Sequence, residues 1–362
     1  MKTQLLLFSL FLSLSAQGQG CIPVRNIVGF GQFMRSEYEG LDATPTTWLI
    51  NVNTRYSKIA RSYVGTERTN LPPEDERINE TFTTNVSIVR LLSRGWSIGM
   101  DIPLAANART TWQEHDPSNP AKIHHTVNSF GVGDIRIAAY KWLWSTTESH
   151  RGNIAVGVGL KFPTGNYHFK DDFYKATGPI AAPVNVTIQL GDGGMGFSNE
   201  INAYYNLTSK MSLYGNFFYL FNPRDENGVS SIDGGGTPTQ LQIDTGDDVY
   251  SVPDSYSARA GANFTMQKFI FWMGARMEGQ PTYDLIGESN GTRRAGYTIS
   301  VEPGINYRIK KTIVYLFVPL TVERKTQQTV PDIARSTITG TPFTSGGGFG
   351  DYMIFLGAVF RI

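Results

Sequence analysis

The stretch from residue 297 to residue 309 is YTISVEPGINYRI, and it alternates between two kinds of side chain. Its odd-numbered positions are apolar or aromatic, whereas its even-numbered positions are small, polar or charged. Successive side chains of a β-strand point to opposite faces, so this pattern predicts a strand with one apolar side and one polar side. The apolar side carries Tyr297 near one end and Tyr307 near the other, which is typical of a strand that crosses the two aromatic girdles of a membrane barrel.

The same alternation recurs along the rest of the chain. Each segment carries an apolar or aromatic residue at every second position, opposed by small, polar or charged residues. The segments are 48–56, 96–104, 154–162, 201–207, 256–266, 269–278 and 352–360. Two others, 211–222 and 312–322, are apolar on both faces, and Pro319 in the second predicts a bulge or a strand end.

The connections between these segments alternate between short and long. Short turns fall at 93–95, 208–210, 267–268 and 310–311, with a slightly longer one between 144 and 152. Long polar stretches fall at 60–79, 105–128, 164–185, 223–254, 279–294 and 325–350. The sequence therefore predicts an all-β fold, a transmembrane antiparallel up-and-down β-barrel of about 12 strands (12–14), with short periplasmic turns and long extracellular loops.

The N-terminal residues 1–20 have the three parts of a secretory signal peptide. Lys2 supplies an early positive charge, residues 5–14 are almost entirely apolar, and small residues follow. The apolar core is too short to span a bilayer. We expect cleavage after Ala16 or Gly20, and we expect the exported chain to reside in the outer membrane of a Gram-negative cell.

The mature chain is expected to begin near Cys21, its only cysteine, which excludes an internal disulfide. A lipid anchor on Cys21 is an alternative, but Gly18-Gln19-Gly20 lacks the aliphatic residue that usually precedes a lipidated cysteine. Residues 21–45 are predicted to be a further strand, a lumen plug or a periplasmic segment. Residues 46–362 are predicted to form the barrel.

Composition narrows the set of partners. The net charge is +1, so no strong field attracts nucleic acid. Charged residues make up 17% of the chain, below the roughly 25% of soluble domains, and 38 glycines and 12% aromatics accompany them. The partners that we expect are outer-membrane lipid and lipopolysaccharide, a small-molecule solute, and the barrel-assembly machinery during biogenesis. No cofactor is expected.

The polar faces of the strands predict a charged lumen. The candidate lumen-lining residues are Arg55, Asp101, Asp134, Arg136, Lys161, Glu200, Arg259, Arg276, Glu278, Glu302 and Arg308. Two interpretations remain open. These residues pair across the interior and hold the shape of the barrel, or some of them line a permeation path and tune its selectivity.

Particular motifs also resemble a known family. The segment 131–136, Gly-Val-Gly-Asp-Ile-Arg, resembles the Gly-Asp strand of bacterial outer-membrane proteins of the phenol meta-pathway transporter type. The segment 159–165 is similar to their Gly-Leu-Lys-Leu-Pro-Thr-Gly segment, and 301–308 and 318–324 resemble their late strands. A more distant similarity to fatty-acid and aromatic-hydrocarbon channels implies uptake of hydrophobic small molecules. The sequence departs from those channels in two ways. We count fewer strands than their fourteen, and the last residue is Ile362 instead of an aromatic residue.

The sequence carries little catalytic chemistry. All five histidines fall in predicted loops or turns, and His124-His125 has no third ligand at a metal-binding spacing. The leading hypothesis is a passive channel for small, hydrophobic molecules and not an enzyme. The alternatives are an adhesion or binding protein that acts through its long loops, and a membrane-embedded lipid hydrolase.

Overall fold

The alternating segments form twelve strands in a computed structural model that describes residues 47–92, 95–144 and 151–362. The strands are β1 (Trp48–Ile59), β2 (Ile78–Leu91), β3 (Trp96–Thr111), β4 (His125–Val132 and Ile135–Trp142), β5 (Gly152–Phe162), β6 (Gly196–Asn206), β7 (Met211–Phe221), β8 (Ser255–Met266), β9 (Phe269–Gln280), β10 (Gly296–Ile309), β11 (Thr312–Phe317 and Leu320–Thr326) and β12 (Ile354–Arg361). The signal peptide, Cys21 and the segment 21–45 lie outside the described residues.

The strands form one closed antiparallel sheet. Each strand pairs with the next along the chain, and β12 pairs back onto β1 from Leu49↔Arg361 to Tyr56↔Ile354. Hydrocarbon cannot hydrogen-bond a free sheet edge, so closure is the arrangement that a membrane-spanning sheet requires. The predicted barrel of twelve strands is confirmed. In the described residues, no helix has the length and apolar character needed to cross a membrane.

The two ends of the barrel differ in their connections. β8 joins β9 through Gln267-Lys268, and β10 joins β11 through Lys310-Lys311. Gln267 and Lys310 have φ values of 55° and 53°, the left-handed conformation that two-residue hairpins use. All the long connections leave from the opposite end. In barrels of this class the end with the short turns is periplasmic and the end with the long loops is extracellular.

The extracellular loops contain short elements of their own. The short strands are Ser62–Val64, Glu67–Thr69, Lys170–Lys175, Gly178–Pro183, Glu226–Ser230, Val249–Ser251 and Gly347–Gly348. The helices are α1 (Gln240–Thr245) and α2 (Val330–Thr339), and 3-10 turns occur at Pro73–Asp75, Val186–Ile188 and Asp233–Gly235. Thr239 and Thr329 begin the two α-helices with capping boxes.

The predicted loop 105–128 is too long. β3 continues to Thr111 and β4 begins at His125, so the loop shortens to 112–124 and the prediction that His125 lies in a loop is wrong. The extension pairs polar residues, as where the hydroxyls of Thr110 and Thr126 lie 2.8 Å apart. Outside the bilayer a strand needs no apolar face, so its sequence resembles a loop.

The inner face of the barrel is not uniformly polar, which corrects the simple alternation. Ile313, Tyr315 and Phe317 of β11 are buried, as are Tyr214 and Phe218 of β7. Their neighbours in the sequence, such as Leu213, Phe217 and Leu316, are the exposed, lipid-facing residues. The two segments that are apolar on both faces are therefore strands whose inward side chains are aromatic.

Candidate functional site

Charged residues from β8, β9 and β10 meet inside the barrel. Arg259 and Arg276 are register partners on neighbouring strands, and Glu302 lies between their guanidinium groups. Arg259 Nε donates to Glu302 Oε1 at 3.0 Å, and Arg276 Nη1 lies 3.5 Å from Glu302 Oε2. Arg276 Nε also donates to Glu278 Oε2 at 2.7 Å. The paired carboxylates offset the cost of burying two cations side by side.

Aromatic rings enclose this ionic cluster. The guanidinium carbon of Arg259 lies 5.6 Å from the ring centre of Trp272 and 5.3 Å from that of Phe317. The corresponding distance from Arg276 to Phe355 is 5.4 Å. The rings of Phe317 and Phe355 stack with centres 4.3 Å apart. These cation–π contacts add stabilisation where water is excluded.

A second network lies on the opposite wall, around Arg136 of β4. Its guanidinium donates to Ser198 Oγ at 2.9 Å, to Asp101 Oδ2 at 3.2 Å and to Glu200 Oε2 at 3.2 Å. The Tyr140 hydroxyl donates to the same Glu200 oxygen at 3.0 Å. Glu200 is 3% exposed, so its charge is held by hydrogen bonds rather than by water.

The network around Glu302 excludes water, while Arg136 and Asp101 in the second network keep 15% and 29% of their side-chain surface exposed. Arg259, Arg276 and Glu302 are at most 3% exposed, whereas a water-filled channel would leave its lining charges exposed. The layer that they form is therefore closed to water in this structure. Arg55 is partly buried on β1, and Arg308 is exposed near the short-turn end of β10, away from the two buried networks.

The remaining predicted lumen residues lie at an interruption of β4. Leu104 pairs with Val132 and Asp101 pairs with Arg136, so β4 has one extra residue in this interval. The Thr164 hydroxyl bridges the break. It accepts a hydrogen bond from the Ile135 amide at 2.9 Å and donates to the Gly133 carbonyl at 2.8 Å.

Asp134 ties the following loop to this break. Its Oδ1 accepts from the Gly165 amide at 3.0 Å, and its Oδ2 accepts from the Asp192 amide at 3.2 Å. Lys161 donates to Asp192 Oδ1 at 2.6 Å. A side chain at position 165 would collide with the Leu190 carbonyl, which explains the glycine. The Gly-Asp and Pro-Thr-Gly motifs thus form one structural unit.

The tethered loop, residues 163–195, folds inward. The Ile188 carbonyl accepts hydrogen bonds from Asn107 of β3, at 3.2 Å, and from Ser129 of β4. Leu190 is 5% exposed and lies against Gly131 and Gly133, where added side chains would strike it. Sequence reasoning noticed the Pro-Thr-Gly motif but missed Thr164, Leu190 and Asp192 as members of one site.

The barrel wall is incomplete beside this loop. The segment His125–Val132 pairs with β3 on one side, and β5 ends at Phe162, the partner of Ile135. In the described residues no strand pairs with the other side of His125–Val132. The hairpin of residues 170–183 packs there, and Asp171 Oδ2 accepts from the Asn128 amide at 2.7 Å. We call this interruption, with Leu190 behind it, the wall gap.

The outer surface near the wall gap is apolar. Phe130 is 75% exposed on the upper part of β4. Val132 on the same strand and Val158 and Leu160 on β5 are also exposed. The residues on both borders of the gap are therefore suited to contact lipid.

A second interruption, between β11 and β1, is closed by polar bonds. Leu320–Thr326 pairs with β10, and its other side faces the residues after β1. Gly65 and Thr326 exchange hydrogen bonds of 2.6 and 3.0 Å, and Asp351 forms ion pairs with both Arg61 and Arg324. Hydrogen bonds thus span both interruptions, but the wall gap is in addition packed by buried apolar side chains, which are Leu190, Val127, Phe173, Ala182, Val184 and Ile188.

The four histidines that the structure describes form no metal centre. His115 is buried with its ring centre 5.0 Å from that of His125, and its Nδ1 accepts from the Tyr174 amide. His124 instead contacts the Glu74 carbonyl through Nε2. The pair His124-His125 thus diverges, and no three metal-ligating side chains converge within the described ranges. His150 lies outside these ranges.

The fold has known counterparts. No family model matches the chain, and no curated protein is similar to it in sequence. An outer membrane channel from Pseudomonas putida F1 superposes with a TM-score of 0.59 at 12% identity, over 90% of this chain and 98% of that one. The Ralstonia pickettii toluene transporter TbuX gives a TM-score of 0.43 at 8% identity, over 88% and 90%. The first likeness, together with the closed sheet and its apolar outer belt, places the chain among outer-membrane β-barrels by fold.

Proposed function

We propose that this protein is an outer-membrane channel through which small apolar molecules pass by passive diffusion, leaving sideways through the wall gap. The observation that carries the proposal is a wall interruption packed by buried apolar side chains, Leu190 among them, in a barrel whose Arg259–Glu302 layer is buried. The channel fold of the Pseudomonas putida protein agrees with this role.

The buried ion pairs inside the barrel favour an apolar solute over an ion. An ion that passed the Arg259–Glu302 layer would need to break buried ion pairs without water to replace them, which is costly. An apolar molecule in the wall gap meets the side chains of Leu190 and Phe130 and then lipid. Each methylene group transferred from water to such surroundings is favourable by about 0.8 kcal/mol.

Displacement of Leu190 is the step that would open the route. We expect Leu190→Ala to increase the initial rate at which intact cells take up radiolabelled benzene, because the alanine leaves the gap unfilled. Leu→Ala changes in packed sites remove about 2–5 kcal/mol of packing. The bulkier Leu190→Trp should lower the uptake rate.

The control is Leu356→Ala, since Leu356 lies on the lipid-facing side of β12 and is 54% exposed. Heat-modifiable gel migration would verify that each variant is folded. The proposal fails if wild-type cells take up benzene no faster than cells without the protein. It also fails if uptake is the same in the wild type and both Leu190 variants.

A further inference from the structure

Three extracellular loops meet above the lumen, and their contact carries an inference that does not depend on the substrate. They are residues 112–124, 163–195 and 222–254. The turn Asp233–Gly235 of the third loop reaches the end of β3, where a side chain at Gly234 would collide with the Glu114 carbonyl. We call the junction of these loops the loop cap.

The carboxyl group of Asp233 lies at the centre of the loop cap. It accepts a hydrogen bond from Asn185 Nδ2 at 2.8 Å and one from the Tyr250 hydroxyl at 3.3 Å. Both partners are at most 2% exposed. Asp233 thus joins the second loop, which contains Asn185, to the third.

Glu114 brings the first loop to the same point. Its Oε1 accepts a hydrogen bond from Arg109 Nε at 2.8 Å, and Arg109 Nη1 donates to Asn79 Oδ1 at 2.8 Å. Its Oε2 is buried and receives no hydrogen bond from nitrogen or hydroxyl donors in the described part of the chain. The neighbouring Gly234 contacts the Glu114 carbonyl, so the Asp233 and Glu114 carboxyl groups lie close enough for the charge of one to oppose ionisation of the other.

We propose that Glu114 and Asp233 share one proton and form a latch that holds the loop cap together, and that the latch weakens as the external pH rises through the range in which this proton is lost. Loss of the proton leaves two buried carboxylates in contact, and their repulsion acts directly between the first and third loops.

Other charged groups around the latch bear on its titration. Arg109 faces it from β3, Arg77 from the loop before β2, Lys175 from the hairpin and Arg294 from the loop after β9. Lys175 also donates to the Glu114 carbonyl at 2.8 Å. Burial and the neighbouring His125 lower the pKa of His115 to about 4, so His115 remains neutral from pH 5 upward.

The direction of the pH effect follows from the two carboxyl groups. Burial, reinforced by the negative charge of Glu114, raises the pKa of Asp233 from 3.8 to about 6. Burial opposes ionisation of Glu114, but the charge and hydrogen bonds of Arg109 outweigh it and lower the pKa of Glu114. A raised pKa of an acid gives stability that is fully present below the unfolded value and is lost as pH rises through the folded value.

Hydrogen–deuterium exchange of the full chain, folded in detergent, tests the latch. After correction for intrinsic exchange rates, the exchange rate in peptides covering 112–118 and 230–236 should be about tenfold higher at pH 7.5 than at pH 5. Asp233→Asn keeps a side chain that donates to Glu114 but cannot ionise, so its opening should stay equally low at both pH values. Asp244→Asn changes an exposed carboxylate in the same loop and should behave as the wild type.

The outcomes separate clearly. If the exchange rates of these loops in the wild type do not depend on pH, the latch proposal is wrong, and no variant is needed to decide it. If Asp233→Asn retained the wild-type pH dependence, another group would be responsible and the proposal would be wrong. Because loop exchange and solute uptake are different readouts, a failed latch would leave the transport proposal standing.

Discussion

Glu302 is the residue on which the buried charges of the lumen depend. It is fully buried and lies against both Arg259 and Arg276. Its removal would leave two cations close together in a site without water. Breaking a buried ion pair from one side is more costly than the pair itself is stabilising.

We therefore expect Glu302→Gln to lower the free energy of unfolding by about 3–5 kcal/mol. Urea unfolding in detergent, followed by heat-modifiable migration, would measure it. Glu80→Gln is the matched control because Glu80 and Lys58 form an ion pair of 3.2 Å in which both side chains are largely exposed. For the control we expect a decrease in the free energy of unfolding of about 0–1 kcal/mol. An equally small decrease for Glu302→Gln would contradict the role of this layer.

Thr164 is a second residue whose substitution should have a measurable effect. Thr164→Val removes the hydroxyl that bonds both the Ile135 amide and the Gly133 carbonyl. Because Thr164 is exposed, we expect the loss to be that of an ordinary hydrogen bond, about 0.5–1.5 kcal/mol. Hydrogen exchange at Ile135 should accelerate in Thr164→Val and remain slow in Thr164→Ser, which keeps the hydroxyl. Equal exchange in both variants would show that Thr164 does not secure the break in β4.

Among the structural elements, the inward-folded loop 163–195 contributes Thr164, Leu190 and Asp192 to the site beside the wall gap. Gly165 and Gly191 face each other at its tightest point, since an added side chain would lie 2.5 Å from the Leu190 carbonyl oxygen at the first and 2.4 Å from the Gly165 carbonyl oxygen at the second. The loop can enter the barrel only because the backbones approach each other so closely. Overpacking of such a contact costs about 1–3 kcal/mol.

Gly165→Ala should thus loosen the loop and make residues 163–195 more sensitive to added protease in intact cells. Gly215→Ala provides the control, because an added methyl group there has its nearest neighbour at 3.9 Å. We expect cleavage within 163–195 in the first variant and none beyond the wild-type level in the second. An unchanged cleavage pattern in Gly165→Ala would contradict the tight packing.

The strands were predictable from sequence because lipid imposes their pattern. In β10, Tyr297 to Ile309 alternates as a lipid-facing strand must, and the observed bounds are Gly296–Ile309. The extensions of β3 and β4 above the membrane were not predictable, since no lipid constrains them. The site was not predictable either. Asp134 and Gly165 belong to motifs that the sequence singles out, but their meeting with Asp192 was not predictable, because the three residues are far apart in the chain.

At the scale of the whole molecule, closure of β12 onto β1 leaves the barrel without a free edge through most of its height. Barrels of this size have room for either a narrow passage or packed side chains. Here the ionic layer and the aromatic rings of β7, β9, β11 and β12 occupy the interior. The proposed function requires that this interior exclude ions and that the wall gap admit apolar molecules.

Planar-bilayer recording of the folded protein tests this central claim most directly. We expect no steady ion conductance at moderate voltage, because the charges of the Arg259–Glu302 layer are buried among aromatic rings and an ion would have to break their ion pairs. A stable conductance that scales with salt concentration would mean a continuous aqueous pore and would contradict the account.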